Sequence, residues 1–161
     1  VDGGLLMQAG VHAVRFVEHV AGVKICDIQA NETTLGKPPE RDGGDGLRMA
    51  SAMLFSLENG GTASVIANYL NPRSFGSWGN ETLRIFGTNG FVEAVDGGQR
   101  TRLVLNDADC GGLTFEEETQ DYLSLYLKTL LGQGDMPLSL EDELHPTRVV
   151  IRAKAAAALV A

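Results

Sequence analysis

The sequence predicts an α+β fold in which a mainly antiparallel sheet carries its helices on one face. Two kinds of observation lead to this class. The chain opens and closes on segments with helical periodicity, and residues 47–106 between them form short apolar runs separated by glycine-rich turns. These turns join strand to strand, which is typical of an antiparallel meander.

The composition is that of a single globular domain. The chain has 161 residues, a net charge of −8 and 43% hydrophobic residues, which suffices for one buried core. The acidic balance argues against binding to nucleic acid or to anionic membranes, because both need clustered Lys and Arg. No apolar run reaches transmembrane length, and Cys26 and Cys110 form no CxxC pair. We therefore expect a cytoplasmic location and no metal site.

The first predicted element is an amphipathic helix that runs to about Ala21. Its polar residues recur at helical spacing and should share one side. They are Gln8, His12, Arg15 and His19. Gly10 lies inside this helix at a cost of roughly 0.5–1 kcal/mol relative to Ala. A helix tolerates that cost most readily where another group closely approaches its backbone.

His12 is the candidate for chemistry in this helix. It lies near the helix N-terminus, whose partial positive charge favours a neutral imidazole that can accept a proton. A solitary His on a helix is nevertheless more commonly a satisfied surface or core residue, and the helix alone favours that interpretation.

The following elements come in regular order. Gly22 should end the helix in the left-handed conformation, before a strand over residues 23–30 and a polar surface loop over 31–46. Two strands, 47–58 and 62–70, are then joined by a hairpin turn at Asn59-Gly60-Gly61. The next loop contains Trp78, which could line a ligand pocket or pack on the core, and both interpretations stay open.

Strands are predicted over residues 82–86, 91–95 and 100–106. Their turn glycines match neither GxGxxG nor GxxxxGK[ST], so we reject a phosphate-binding loop. Residues 107–114 should form a loop, and residues 116–131 a helix. A last helix begins at an S-x-x-D cap and runs to the chain end, and Pro146 should kink or restart it.

The predicted strands carry more apolar residues than one buried sheet face can accommodate. We expect a second sheet, from a partner subunit, to cover the open face. The residues concerned are Met49, Leu54, Val65, Ile66, Tyr69 and Leu83.

Residues 3–16 resemble the motif GGxxxDxGxHxxD. This motif opens the second domain of the glucose-fructose oxidoreductase/inositol dehydrogenase/rhizopine-catabolism (Gfo/Idh/MocA) family of NAD(P)-dependent sugar oxidoreductases. Three later stretches resemble the same domain in the same order: the hairpin at 47–69, the turn at 83–90 and the closing helices at 121–157. The resemblance covers essentially the whole chain. It implies an open, mainly antiparallel sheet with helices on one face, like the C-terminal domain of glyceraldehyde-3-phosphate dehydrogenase.

The resemblance also implies a domain organisation. Residues 1–161 would form a C-terminal domain for substrate binding and oligomerisation, as a homodimer or tetramer through the open sheet face. The N-terminal Rossmann domain, which binds NAD or NADP and supplies a catalytic Lys from an E-K-P motif, is absent from this chain. Because the sequence has no initiator Met and opens inside a motif, we expect a fragment or a processed piece.

The family motif assigns roles to individual residues. His12 occupies the position of the His that acts as general acid/base on the substrate hydroxyl. Gln8 stands where a supporting Asp is usual, and Arg15 where a second Asp is usual. A Gln cannot take up a proton, and an Arg suits a carboxylate. We therefore predict His12 as catalytic and Gln8, His12, Arg15 and Trp78 as substrate-binding.

The two departures from the motif allow different outcomes. Either the substrate differs, as a carboxylated or amidated sugar would, or the chemistry has weakened. Three hypotheses follow for the protein. The first is an NAD(P)-dependent oxidoreductase acting on a sugar, cyclitol or related polyol by hydride transfer. The second is a non-catalytic ligand-binding or regulatory paralogue, and the third is a domain that serves only dimerisation.

Overall fold

The computed structural model of the chain describes residues 4–33, 48–77, 79–114 and 121–160. These residues belong to two compact units, one built from residues 1–75 with 140–161 and the other from residues 76–139. Each unit contains one four-stranded sheet. The predicted α+β class with mainly antiparallel strands is confirmed. Within the described ranges, no helix is long and apolar enough to cross a membrane.

Four α-helices, one short 3₁₀-helix at Arg73–Phe75 and eight strands make up the described chain. The helices are α1 (Gly4–Gln8), α2 (Gly10–Ala21), α3 (Tyr122–Leu130) and α4 (Leu140–Ala156). The strands are β1 (Ile25–Thr33), β2 (Ala50–Leu57), β3 (Thr62–Asn68), β4 (Leu83–Gly87), β5 (Gly90–Val95), β6 (Arg100–Leu105), β7 (Ala108–Gly111) and β8 (Ala158–Val160).

The sheet of the first unit has the strand order β3-β2-β1-β8. The β1–β2 and β2–β3 pairs are antiparallel, whereas β8 lies parallel to β1. The predicted hairpin joins β2 to β3, with the Leu57 N–H donating to the Gly61 carbonyl at 2.9 Å. The Asn59 side-chain oxygen accepts from the Gly61 N–H at 2.9 Å. Gly60 has φ +83°, a conformation that an Asn-Gly turn supplies at little steric cost.

Helices α1, α2 and α4 pack on one face of this sheet and form the hydrophobic core with β1 and β2. Alternation along β2 places every second side chain in this core. The fully buried large residues are Leu5, Leu6, Val14, Phe55, Val149 and Val150.

Two carboxylates are buried beside this core, and the sequence pattern did not single out either of them. Glu18 on α2 is 7% exposed. It accepts the Ile25 N–H at 3.0 Å and lies 2.7 Å from His145 Nδ1. Glu32 on β1 is 2% exposed and accepts a hydrogen bond from Lys154 Nζ at 2.6 Å. Both contacts tie α4 to earlier parts of the first unit.

The second unit is an antiparallel meander in the order β4-β5-β6-β7. Residues 87–90 form its first tight turn, as predicted, with Gly87 paired to Gly90 across it. β7 occupies part of the segment predicted as a loop, because it adds to the free edge of β6. Asp121 caps α3 by accepting hydrogen bonds from the Ser124 N–H at 3.0 Å and hydroxyl at 2.7 Å.

The structure corrects three further expectations about the helices. The opening helix is divided at Ala9 into α1 and α2. The last helix ends at Ala156 rather than at the chain end, because its final residues pair with β1 as β8. Pro146 lies buried inside α4 instead of beginning a new segment.

The predicted meander is likewise divided between two sheets. Of the six apolar strand residues judged too many for one buried sheet face, two have exposed side chains: Leu54 and Ile66. Val65 packs against the core on the helix side of the same sheet. The outer face of the first sheet therefore carries two of these six residues.

Candidate functional site

The polar stripe predicted on the first helix lies along α1 and α2. Helical hydrogen bonding continues across the break, since the Ala9 N–H donates to the Leu5 carbonyl at 2.8 Å and the Ala13 N–H to the Ala9 carbonyl at 3.4 Å. The His12 N–H donates to the Ala9 carbonyl at 3.1 Å, which tightens this turn. Gln8 and His12 are therefore one turn apart, and both side chains are exposed.

Gln8 is held by a residue from the sheet. The Tyr69 hydroxyl donates to Gln8 Oε1 at 3.0 Å. Tyr69 directly follows β3, and its N–H donates to the Met49 carbonyl at 2.9 Å, which extends the β2–β3 ladder. Its half-buried side chain is thus fixed to the sheet at its base and to α1 at its tip.

Tyr69 was predicted only as an apolar strand residue. A signal for its position was present in the alternation of β3, where Ala63, Val65, Ala67 and Tyr69 are the half-buried positions. Because side chains two residues apart share a sheet face, Tyr69 points to the side on which the helices pack. The hydrogen bond to Gln8 spans 61 residues of sequence, so its partner was not accessible to local reasoning.

Arg15 is engaged by the first turn of α4. Its guanidinium donates to Glu143 Oε1 at 3.0 Å and to the Asp142 carbonyl at 3.2 Å. Both charged side chains are about 30% exposed. A donor-only guanidinium has five N–H groups, so these contacts leave it able to bind a further acceptor. A substrate-binding role for Arg15 stays a prediction.

Gly10 has a structural explanation. A Cβ at this position would lie 3.3 Å from Met53 Cε and 3.5 Å from Val150 Cγ1. The groups that closely approach the helix backbone are therefore core side chains of β2 and α4. Gly10 lets α2 pack tightly against the core, while the neighbouring stripe faces away from it.

The remaining site predictions have different outcomes. Trp78, predicted to bind substrate, lies outside the described residues. Within those residues, no three or more His, Cys, Asp or Glu side chains are grouped as a metal site would need. The catalytic role of His12 stays a prediction, which its exposure in the stripe permits.

The described residues do not supply a dinucleotide site of the Rossmann type. Such a site needs a glycine-rich turn that leads from a strand directly into a helix, where backbone N–H groups meet the pyrophosphate. The GxGxxG pattern does not occur in the sequence, and the glycine turns at 59–61, 87–90 and 96–98 join strands to strands. The described residues of the first unit instead place the exposed imidazole of His12 one helical turn from the Gln8 amide, which the Tyr69 phenol contacts.

The sequence of the chain matches the profile of a known protein family. The family profile described as the GFO/IDH/MocA C-terminal domain matches residues 1–93, which include α1, α2 and Tyr69. No curated protein sequence matches the chain.

Several solved structures are similar to the whole chain. A structure assigned as an oxidoreductase from Thermotoga maritima has a TM-score of 0.77 at 26% identity, over 91% of this chain and 42% of that one. The UDP-N-acetylglucosamine 3-dehydrogenase GnnA from Acidithiobacillus ferrooxidans has a TM-score of 0.71 at 12% identity, over 98% and 48%. An NAD-binding protein from Listeria innocua has a TM-score of 0.69 at 13% identity, over 96% and 49%. The chain spans less than half the length of each of these proteins.

Proposed function

The chain belongs to the GFO/IDH/MocA family, and from that premise we propose that it is the substrate-binding and oligomerisation domain of an NAD(P)-dependent oxidoreductase. The proposed substrate is a sugar, cyclitol or related polyol. The observation that carries the proposal is the exposure of His12 one helical turn from Gln8, at the position that resembles the His of the family motif. The similarity to a UDP-N-acetylglucosamine 3-dehydrogenase supports a sugar-like substrate.

In this proposal His12 moves a proton. Its exposed imidazole accepts the proton of the substrate hydroxyl during oxidation and returns it in the reverse direction. Gln8 holds the neighbouring part of the substrate by hydrogen bonds. The bound NAD or NADP would supply hydride chemistry, and a Rossmann domain outside these 161 residues would hold it, because the described residues do not fit that group.

Assembly and location belong to the same proposal. We propose that two or four copies associate through the outer face of the first sheet, where Leu54 and Ile66 are exposed. Because Cys26 and Cys110 are both exposed free thiols, a reducing cytoplasm would suit the protein.

The test is His12→Ala in the full-length gene product. The variant is assayed with NAD⁺ and NADP⁺ against aldoses, sugar acids and cyclitols, by the ultraviolet absorbance of the reduced nicotinamide. We expect kcat/KM to fall by about 10²- to 10⁴-fold, the range for loss of a general acid/base. Thermal unfolding should stay unchanged because the His12 side chain is exposed.

His19→Ala is the matched control, since His19 is exposed on the same helix two turns later. It should retain the activity of the unmodified protein. If His12→Ala turned over as fast as His19→Ala, His12 would have no catalytic role.

A second candidate function is a non-catalytic ligand-binding or regulatory protein. It is favoured by Gln8, because an amide cannot exchange a proton as the usual Asp could. In that case the full-length protein would reduce neither dinucleotide with any of these substrates, yet a sugar would still raise its unfolding temperature.

A further inference from the structure

The Gln8 amide turns its oxygen toward the Tyr69 hydroxyl. An amide has one oxygen that accepts and one NH₂ that donates. The Tyr69 hydroxyl donates to the oxygen, at 3.0 Å. No other described residue forms a hydrogen bond with the NH₂, and the Gln8 side chain is exposed. The two N–H donors therefore face outward, on the side of the helix that also carries His12.

This orientation is built into the unit. Tyr69 lies at the end of β3, where its backbone N–H is bonded to the Met49 carbonyl, and its side chain is half-buried. A half-buried phenol has less rotamer freedom than an exposed one, which favours its contact with Gln8. Tyr69 thus fixes in advance which end of Gln8 meets a ligand, and preorganised donors bind more tightly because less side-chain entropy is lost on binding.

The polarity of the site follows. A carboxylate at position 8 could only accept hydrogen bonds and would suit a substrate hydroxyl, whereas the outward NH₂ group of Gln8 donates. Arg15, one turn beyond His12, is also a donor and carries a positive charge. A ligand that spans this stripe is matched best by an oxygen that accepts without donating.

We propose that Tyr69 is a positioning residue that directs the Gln8 N–H groups at the ligand, and that the ligand group meeting them is a carboxylate or carbonyl oxygen, as in a uronic or aldonic acid. The proposal rests on the proposed function for the sugar class. Its first readout does not, because it measures binding to this chain without dinucleotide or turnover.

That readout is the side-chain NH₂ resonance pair of Gln8 in the nitrogen–proton NMR spectrum, assigned by its disappearance in Gln8→Glu. D-Glucuronate and D-glucose are the probes. We expect glucuronate to shift the Gln8 pair at concentrations where glucose does not. Tyr69→Phe should weaken the apparent affinity for glucuronate by up to about tenfold, the scale of one hydrogen bond between neutral groups.

The second readout is kinetic and uses the full-length protein. Gln8→Glu keeps the oxygen that accepts from Tyr69 but replaces the donors by a negative charge. It should raise KM for glucuronate about 10- to 100-fold, with a smaller change in kcat, and should improve glucose relative to glucuronate. Tyr69→Phe should also change KM more than it changes kcat. A purely structural defect would not affect KM selectively.

Matched controls are available in the same chain. Gln29→Glu makes the same exchange at an exposed position of β1, and Tyr126→Phe removes a hydroxyl from an exposed residue of α3. Neither should change the glucuronate response.

The outcomes separate the two proposals. If the protein preferred neutral sugars and neither Gln8→Glu nor Tyr69→Phe changed its kinetics, the positioning role of Tyr69 would be wrong. The proposed oxidoreductase function would still stand. If glucuronate bound in a way that depended on Tyr69 but was not turned over, the inference about Tyr69 would be supported. The proposed oxidoreductase function would then be wrong. If glucuronate neither shifted the Gln8 pair nor was turned over, the inference would be wrong.

Discussion

At the scale of single residues, Glu18 shows how a charged side chain can belong to a core. Its carboxylate satisfies the N–H of Ile25, the first residue of β1, at 3.0 Å. The same oxygen lies 2.7 Å from His145 of α4. A buried N–H without an acceptor would cost about 1–3 kcal/mol, so Glu18 stabilises the junction of two helices and a strand.

We predict that Glu18→Ala lowers the free energy of unfolding by about 1–3 kcal/mol, because it leaves the Ile25 N–H unpaired in a buried site. Glu18→Gln keeps an acceptor oxygen and should lose less. Chemical denaturation followed by circular dichroism measures both changes.

Glu58→Ala is the matched control for this prediction. Glu58 also accepts a backbone N–H, that of Lys24 at 3.0 Å, but in an exposed position. Water replaces the lost acceptor there, and the loss should stay below about 1 kcal/mol. Equal losses for Glu18→Ala and Glu58→Ala would show that burial of the Ile25 N–H does not matter.

At the scale of elements, the turn between β4 and β5 depends on one of its two terminal glycines. Gly90 has φ +145°, and a Cβ there would clash with the Val104 carbonyl oxygen. The obstacle is the backbone of β6, which cannot move aside as a side chain could. At Gly87 the nearest atom to a Cβ would be 3.9 Å away.

Gly90→Ala should therefore destabilise the second unit by at least about 1–3 kcal/mol, the cost of a strained backbone conformation, with the steric clash in addition. Gly87→Ala should be tolerated within about 1 kcal/mol. Thermal unfolding of the two variants tests the difference. The prediction fails if both alanines have the same effect.

The cap of α3 makes a pH-dependent prediction. The Ser124 hydroxyl and N–H donate to the ionised Asp121 and hold the pKa of that carboxyl below its usual 3.8. A group whose pKa is lowered by folding contributes its stabilisation above the unfolded pKa and loses it as the pH falls through the folded value. The cap should therefore be complete above about pH 4 and be lost in more acidic solution.

An NMR titration of the Asp121 carboxyl should have its midpoint below 3.8. Ser124→Ala removes the hydroxyl donor and should move the midpoint of the Asp121 titration upward. Ser64→Ala, at an exposed position of β3, should leave the midpoint in place. A midpoint at or above 3.8 in the unmodified chain would contradict the cap geometry.

The boundaries of elements show where local pattern ends. The Ala-rich C-terminus has high helix propensity, and the helix was predicted to continue to the end. Residues Ala158–Val160 instead pair in parallel with Asn31–Thr33. Hydrogen bonds and packing along a free strand edge outweigh a propensity difference of a few tenths of a kcal/mol per residue.

At the scale of the whole molecule, the candidate site residues belong to one unit. Gln8, His12, Arg15 and Tyr69 all lie in the unit formed by residues 1–75 and 140–161. Contacts between residues far apart in sequence hold this unit together, such as the Arg15–Glu143 ion pair across 128 positions. The outer face of its sheet is the surface through which we propose that copies of the chain associate.

Ile66→Glu tests that association. Ile66 is 81% exposed and pairs across the sheet with Ala52, which makes it a diagonal neighbour of Leu54. In a two-fold interface one substitution buries two like charges, so light scattering should show a shift from dimer or tetramer to monomer.

Ile151→Glu supplies the control, since Ile151 is exposed on α4. Its mass in solution should equal that of the unmodified chain. A monomeric unmodified chain, or a variant at Ile66 that keeps its full mass, would exclude this face as the interface.

Local chemistry made much of this molecule predictable from its sequence. Helical spacing located α2, short apolar runs located β2 and β3, and Asn59-Gly60-Gly61 located their hairpin, because each of these signals involves residues only a few positions apart. The opening motif and three later stretches in the same order indicated the family, and the motif drew attention to Gln8, His12 and Arg15. The structural reason for Gly10 could not be predicted from local sequence, because Met53 of β2 and Val150 of α4 are the side chains that approach it.

Only the tertiary structure decided how these pieces meet. The division into two sheets, the strand formed by the last residues and the burial of Glu18 and Glu32 depend on contacts between distant segments. The Tyr69–Gln8 hydrogen bond is of the same kind. The sequence pattern indicates which face of a helix or strand is apolar. The pairing partner of a strand, its register and the direction in which the Gln8 amide points are set by the free energy of packing the whole chain.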